Sequence, residues 1–181
     1  MLLFKNMNVK RILVWGVVEG LAVLGLTQCL VACRERAEEP APRIVNIINF
    51  VRQTEPRPVN ISDEDLFLTT LRQVELLEKH RLRGTFLLQY DALLNPRYQE
   101  LMRRALKEGS EVGGWWEITQ PHVEAAGMTW RGAYPWDWHA NVGFSTGYTP
   151  EEREKLVDVY MAEFKKIFGA YPTAVGSWFI D

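Results

Sequence analysis

Residues 84–118 read G-T-F-L-L-Q-Y-D-A-L-L-N-P-R-Y-Q-E-L-M-R-R-A-L-K-E-G-S-E-V-G-G-W-W-E-I, and this stretch decides the fold. Gly84 to Tyr90 is a short apolar run of strand length, and Glu111 to Ile118 is another. Between them Asn95-Pro96 supplies a helix cap and a first-turn residue, and Gly109 stops the helix. The order is therefore strand, helix, strand. Upstream, Arg43 to Val51 (R-I-V-N-I-I-N-F-V) is a further β-rich run, expected to be buried on both faces. Ser62 opens a helix with Asp63, Glu64 and Asp65 in its first turn, an apolar stripe at Phe67, Leu71, Val74 and Leu77, and Lys79, His80 and Arg81 at its end.

Downstream, Pro121 to Ala126 reads as a short helical segment. Thr149-Pro150-Glu151-Glu152 is a capping box with Pro at the first helical position. Leu156, Val157, Tyr160, Phe164, Ile167 and Phe168 follow at helical spacing, and Gly169 ends that helix. Ala174 to Ile180 is the last expected strand. Such alternation predicts an α/β fold with a parallel sheet or barrel.

The first 33 residues read as a processing signal. Lys5, Lys10 and Arg11 precede a nearly unbroken apolar span from Ile12 to Ala32, interrupted by Glu19. Leu30-Val31-Ala32-Cys33 resembles a bacterial lipobox, so Cys33 is the expected lipidation site and the cell envelope the expected location; an uncleaved membrane anchor is the alternative. Residues 34–42 (R-E-R-A-E-E-P-A-P) read as a charged, Pro-rich tether, and residues 43–181 as one domain. Cys29 and Cys33 are the sole cysteines, so the domain holds no disulfide. A formal charge of −2 and the lack of a basic run after the signal argue against a nucleic-acid partner.

Parallel α/β sheets place ligands at the C-terminal ends of their strands. The candidates are then Asn49, Arg52 and Glu55 after the first strand; Gln89, Tyr90 and Asp91 after the second; Trp115, Trp116 and Glu117 after the third; and Asp181 after the last. Five of the seven tryptophans and two of the three histidines lie between Trp115 and His139. Aromatic faces stack on sugar rings, and interleaved acids and imidazoles move protons or hold metals. Trp115, Trp116, Trp136 and Trp138, with Arg52, Gln89 and Asp91, are therefore expected to contact a carbohydrate.

Asp137 and His139, two apart, would share one face of a strand, with Trp136 and Trp138 on the other. The carboxylate would then orient the imidazole; the alternative is an Asp that caps a loop and a His bonded to backbone. Glu117 follows two tryptophans, a setting that raises a carboxyl pKa toward that of a general acid; a strand-end surface Glu is the alternative. Arg52, Glu55 and Arg57 would bind substrate or pair among themselves. A divalent metal on His139, Asp137 or Asp181 stays open, although no H-x-x-x-H or C-x-x-C spacing supports one. His122 and His80 read as local helix-end residues. No phosphate loop and no G-x-S-x-G elbow occurs.

Three places resemble the NodB-like polysaccharide deacetylases. Gly84-Thr85-Phe86-Leu87-Leu88 is similar to that family's second strand, A-T-F-F. Glu108-Gly109-Ser110-Glu111-Val112-Gly113 is similar to its G-H-E-I-G turn. Phe168-Gly169-Ala170-Tyr171-Pro172 with Val175-Gly176-Ser177-Trp178 is similar to the F-G-x-x-P lead into a later strand. The resemblance implies a (β/α)7 barrel, incomplete here because a closed barrel needs more chain, and a lipid-anchored carbohydrate hydrolase or deacetylase. It also implies where the family's chemistry is missing. The first strand carries no Asp, and the positions of the family's two metal histidines fall on Trp115 and Thr119. Expected chemistry thus shifts to Glu117 and Asp137 as carboxylates and His139 as base or ligand, with a non-catalytic glycan-binding module as the alternative.

Overall fold

The computed structural model describes residues 44–55 and 60–178. The signal segment with Cys33, the tether, Arg57 and Asp181 lie outside the described residues. No helix among the described residues is long and apolar enough to cross a membrane. From Val45 onward the described residues form one compact unit.

Four strands, β1 (Ile48–Val51), β2 (Thr85–Leu88), β3 (Glu111–Trp115) and β4 (Val175–Gly176), form one sheet in that order. All neighbours are parallel, with Val51 opposite Leu88, Leu88 opposite Gly114, and Trp115 opposite Gly176. The connections carry helices α1 (Asp63–Lys79), α2 (Tyr90–Leu94), α3 (Pro96–Lys107), α4 (Gln120–Ala125), α5 (Ala140–Gly143) and α6 (Pro150–Phe168).

The helices begin where the caps stand. The Ser62 hydroxyl accepts from the Asp65 amide while the Asp65 carboxylate accepts from the Ser62 amide, and Thr149 with Glu152 repeats the arrangement. Asn95 Oδ1 accepts from the Arg97 amide at 2.9 Å. Each such cap stabilises its helix by about 1 kcal/mol. Gly169 closes α6 in the left-handed region at φ 82°, where a side chain would be strained.

Alternation along the strands separates the two sheet faces. Val51, Phe86, Leu88 and Val112 point into a core shared with Val74 and Leu77 of α1, Leu101, Met102 and Ala105 of α3, and Tyr160 and Phe164 of α6. Burying one such large side chain contributes about 1.5–3 kcal/mol. Tyr160 also spans the layers, its hydroxyl donating to the Leu88 carbonyl at 2.7 Å. On the other face Phe50 stacks on Trp115 at 5.1 Å, and Leu87 closes over Gly113 and Gly176.

Gly113 admits no side chain: a Cβ there would sit 2.2 Å from the Ala174 carbonyl oxygen and 2.8 Å from Leu87. Gly113→Ala is therefore expected to prise β4 from β3 and break the 3.0 Å bond from the Gly114 amide to Ala174. The expected cost is about 1–3 kcal/mol of unfolding free energy, measured by urea titration.

The first strand is shorter than its sequence suggests. Ile44 and Val45 are exposed and β1 starts at Ile48, because β2 offers partners only from Thr85, opposite Ile48. Nor is β1 buried on both faces: it is an edge strand, and Ile48 and Phe50 stand 58% and 42% exposed. The last strand likewise shrinks to two residues and ends before Ser177. Between β2 and α3 the chain forms α2, a five-residue helix the sequence does not announce.

Candidate active site

The C-terminal ends of all four strands meet at one carboxylate. Glu117 follows β3, and its side chain is wholly buried. Arg52, just beyond β1, grips it in a fork: Nε donates to Oε2 at 3.0 Å and Nη2 to Oε1 at 2.7 Å. Gln89, just beyond β2, donates Nε2 to Oε2. Trp178, beyond β4, donates its indole N–H to Oε1 at 2.5 Å. A carboxylate offers about four lone-pair sites, and here four N–H donors fill them. The sequence places Glu117 as a general acid. Its oxygens are instead spent on fixing four strand ends, so it presents none to a ligand.

Two rings flank Arg52, its guanidinium carbon 4.8 Å from the Phe50 ring centre and 4.3 Å from that of Trp136. Tyr98 completes the support by donating its hydroxyl to the Arg52 carbonyl at 3.1 Å.

Asp137 and His139 come together, though not on a strand. They lie in the loop before α5, and the loop is tied to the β3 exit. The Gln120 amide donates to the Pro135 carbonyl at 2.7 Å and the Ile118 amide to the Gly143 carbonyl at 2.8 Å; Thr119 and Trp136 form an antiparallel bridge. Gly143 lets the loop close, since a Cβ there would meet the Asp137 carbonyl oxygen at 2.2 Å.

The Asp137 carboxylate is buried, and its Oδ1 bonds His139 Nδ1. The Ala133 and His139 amides donate to the same carboxylate, each at 3.2 Å. The His139 bond first, then these amides, holds the Asp137 carboxyl below the usual carboxylate range. An ionised Asp137 accepts a hydrogen bond from Nδ1–H, so a neutral imidazole keeps its lone pair on Nε2. The His139 side chain is 65% exposed, and the Trp138 ring stacks on it at 5.3 Å.

Beside this pair lies a cleft of about 590 Å³ whose lining includes Arg52, Glu117, Trp136, Trp138, His139, Phe144 and Trp178. Its surface is largely aromatic. Trp136 and Trp138 share this wall, although strand alternation would have put them opposite His139. Trp138 and Trp178 are about half exposed, so each ring reaches the open side of the cleft.

Other expected ligand contacts lie elsewhere. Gln89 is fully buried on Glu117. Trp115 is buried against Phe50 and Trp178, and Trp116 packs between His122 and Tyr160. Asp91 accepts from its neighbour Ala92 at 2.8 Å and does not line the cleft; burial pushes its carboxyl up to about 6. Trp178 and Phe144 are the residues the sequence reading missed. Extending the last strand to Ile180 pointed to Asp181, whereas the rim rule applied to the shorter β4 selects Trp178.

His122, read as a local residue at the start of a short helix, belongs to that helix and packs into the core. It is fully buried, stacked on Tyr90 at 4.5 Å, with Nε2 2.8 Å from the Leu156 carbonyl. Burial depresses its pKa to about 4. The unfolded chain therefore takes up a proton near pH 6.5 that the folded chain refuses until about pH 4, and stability falls as pH drops through that window. Wild type is expected to lose about 2 kcal/mol more than His122→Gln between about pH 7 and pH 5, read from urea midpoints. Comparing the two cancels Asp91, whose raised carboxyl pKa acts in the opposite sense.

The metal implied by the resembled family does not fit these residues. The positions of its histidines hold Trp115 and Thr119, both buried and neither a metal-ligand type. Among the described residues no three His, Cys, Asp or Glu side chains gather as a ligand set. Asp137 and His139 turn their facing atoms on each other, which leaves Nε2 as the ring nitrogen that Asp137 does not hold.

No family model and no curated protein matches the chain. Among solved structures it is similar to the peptidoglycan deacetylase PdaC from Bacillus subtilis, at 22% identity and a TM-score of 0.41, over 73% of this chain and 48% of that one. The chain thus spans about half the length of that structure. A likeness this distant carries no weight for the site.

Proposed function

We propose that this chain is a carbohydrate-active hydrolase that removes an acyl group from a sugar hydroxyl or amine. The observation that carries the reading is the Asp137–His139 pair, whose exposed imidazole lines an aromatic cleft. Asp137 fixes the tautomer, Nε2 takes a proton from water, and the resulting hydroxide attacks the acyl carbon. The same nitrogen then returns the proton to the departing sugar oxygen or nitrogen. Trp138 and Trp178 offer faces on which a sugar ring stacks.

Cleavage of a glycosidic bond by two carboxyl groups is the weaker reading. That chemistry needs one carboxyl free to give a proton and another free to act on water or carbon. Glu117 is saturated by four donors, and Asp137 is spent on His139 and two amides.

The deciding experiment measures carboxylic acid release from O-acetylated and N-acetylated oligosaccharides by wild type and His139→Ala. Turnover by wild type that falls at least about 100-fold in the variant is expected. Glycan binding by both proteins with turnover by neither would leave a binding module instead.

Four parallel strands in sequential order support the reading of this sheet as the start of a NodB-like (β/α) barrel. The envelope location rests on the lipobox-like Leu30-Val31-Ala32-Cys33. Cys33→Ser is expected to abolish incorporation of labelled palmitate in a bacterial host, and continued labelling would refute lipidation at that cysteine.

A further inference from the structure

Arg52 does more than its ion pair requires. Its Nε and one Nη2 hydrogen are spent on Glu117. Among the described residues no acceptor meets Nη1. The Phe50 and Trp136 rings both lie against the guanidinium, 4.8 Å and 4.3 Å from its carbon, and the side chain is 17% exposed. Nη1 and the second Nη2 hydrogen remain, and Arg52 lines the same cleft as His139. A guanidinium fixed by a fork on one edge and flanked by two aromatic rings is held in place. Its remaining N–H groups are donors already in place before charge develops, the condition for oxyanion stabilisation.

The geometry points to Arg52 as a catalytic residue whose free Nη1 edge donates to the acyl oxygen as it becomes an oxyanion. This rests on the acyl-hydrolase reading and deepens it. Water loses a proton to His139 Nε2 while its oxygen bonds the acyl carbon. The carbonyl π pair moves onto the acyl oxygen, where the Arg52 N–H groups receive it. The pair then returns, the bond from acyl carbon to sugar oxygen or nitrogen breaks, and the leaving atom takes the proton from Nε2. The products are the free acid and the deacylated sugar.

Glu117 offsets the charge of Arg52, so the edge acts as a hydrogen-bond donor rather than a net cation. The inference therefore extends to substrate class: an uncharged acyl group on the sugar is preferred over one that bears a carboxylate.

Steady-state hydrolysis of 4-nitrophenyl acetate by wild type, Arg52→Lys and Arg52→Ala tests this. Arg52→Lys keeps a charge beside Glu117 but loses the planar edge. Its kcat is expected to fall about 100-fold or more, with KM changed less than about threefold. Added guanidinium ion is expected to restore at least about tenfold of the activity lost in Arg52→Ala at concentrations that leave the variant's unfolding midpoint unchanged, a rescue that a purely structural role would not give. Hydrolysis of the hemisuccinate ester of 4-nitrophenol by wild type is expected to be slower than that of the acetate. Wild-type turnover with kcat undiminished in Arg52→Lys, or an Arg52→Ala defect that guanidinium leaves untouched, overturns the role of Arg52 while the acyl-hydrolase reading stands. Absence of ester or amide turnover by wild type overturns both.

Discussion

Glu117→Leu is expected to lower the unfolding free energy by about 3–5 kcal/mol, the largest stability loss from any single change at the site. The loss does not measure the strength of one ion pair. Glu117 is the acceptor for Arg52, Gln89 and Trp178 at once. Removing it strands a mostly buried guanidinium and leaves the amide of Gln89, itself fully buried, without its acceptor. Each donor then bears its desolvation cost with nothing to offset it. The double variant Arg52→Met/Glu117→Leu is expected to recover most of the loss, because a buried pair replaced by apolar side chains of similar volume is often neutral or better. Urea titration of wild type, both single variants and the double variant measures this. A Glu117→Leu loss below about 1 kcal/mol would show that the four strand ends do not depend on that carboxylate.

The second large effect falls on turnover. Asp137→Asn is expected to lower kcat at least about 100-fold, with KM and the unfolding midpoint close to wild type. The substituted amide would still reach His139 Nδ1 but can present an N–H there, which stabilises the opposite tautomer and puts the proton on the Nε2 that must accept one. The buried Asp137 carboxylate also favours the imidazolium that forms when Nε2 takes its proton. An unchanged urea midpoint separates this from a folding defect, because a merely loosened loop would lower kcat and the midpoint together. A shift in KM alone, with kcat preserved, would assign Asp137 to binding.

Much of the scaffold was legible in the chain because local chemistry decides it. The caps at Ser62, Asn95 and Thr149, the stop at Gly169 and the apolar stripes fix α1, α3 and α6 without long-range information. The strand ends were less legible, because a strand extends only as far as its neighbour pairs with it. That is why β1 begins at Ile48 despite the apolar residues before it.

The rim rule pointed to Arg52, Gln89 and Glu117 at neighbouring strand ends, where the three side chains meet, but their roles could not be read from type. A glutamate after two tryptophans suggests desolvation; that four donors saturate it is a property of four separate strand ends. Asp137 and His139 were recognisable as a pair by spacing, yet the spacing implied a strand. The structure reaches the same contact through a loop that Gly143 allows to close. The tryptophans divided by their neighbours, with Trp115 and Trp116 packed on other rings and Trp136 and Trp138 on the cleft, a distinction their shared residue type conceals.

The central claim is that the Asp137–His139 pair and its cleft act on an acyl bond and leave the glycosidic bond alone. The most direct measurement counts released carboxylic acid and new reducing ends in the same digest of an acetylated oligosaccharide. The account predicts acid release that depends on His139, with no rise in reducing ends. New reducing ends accumulating in step with turnover, and surviving His139→Ala, would contradict it.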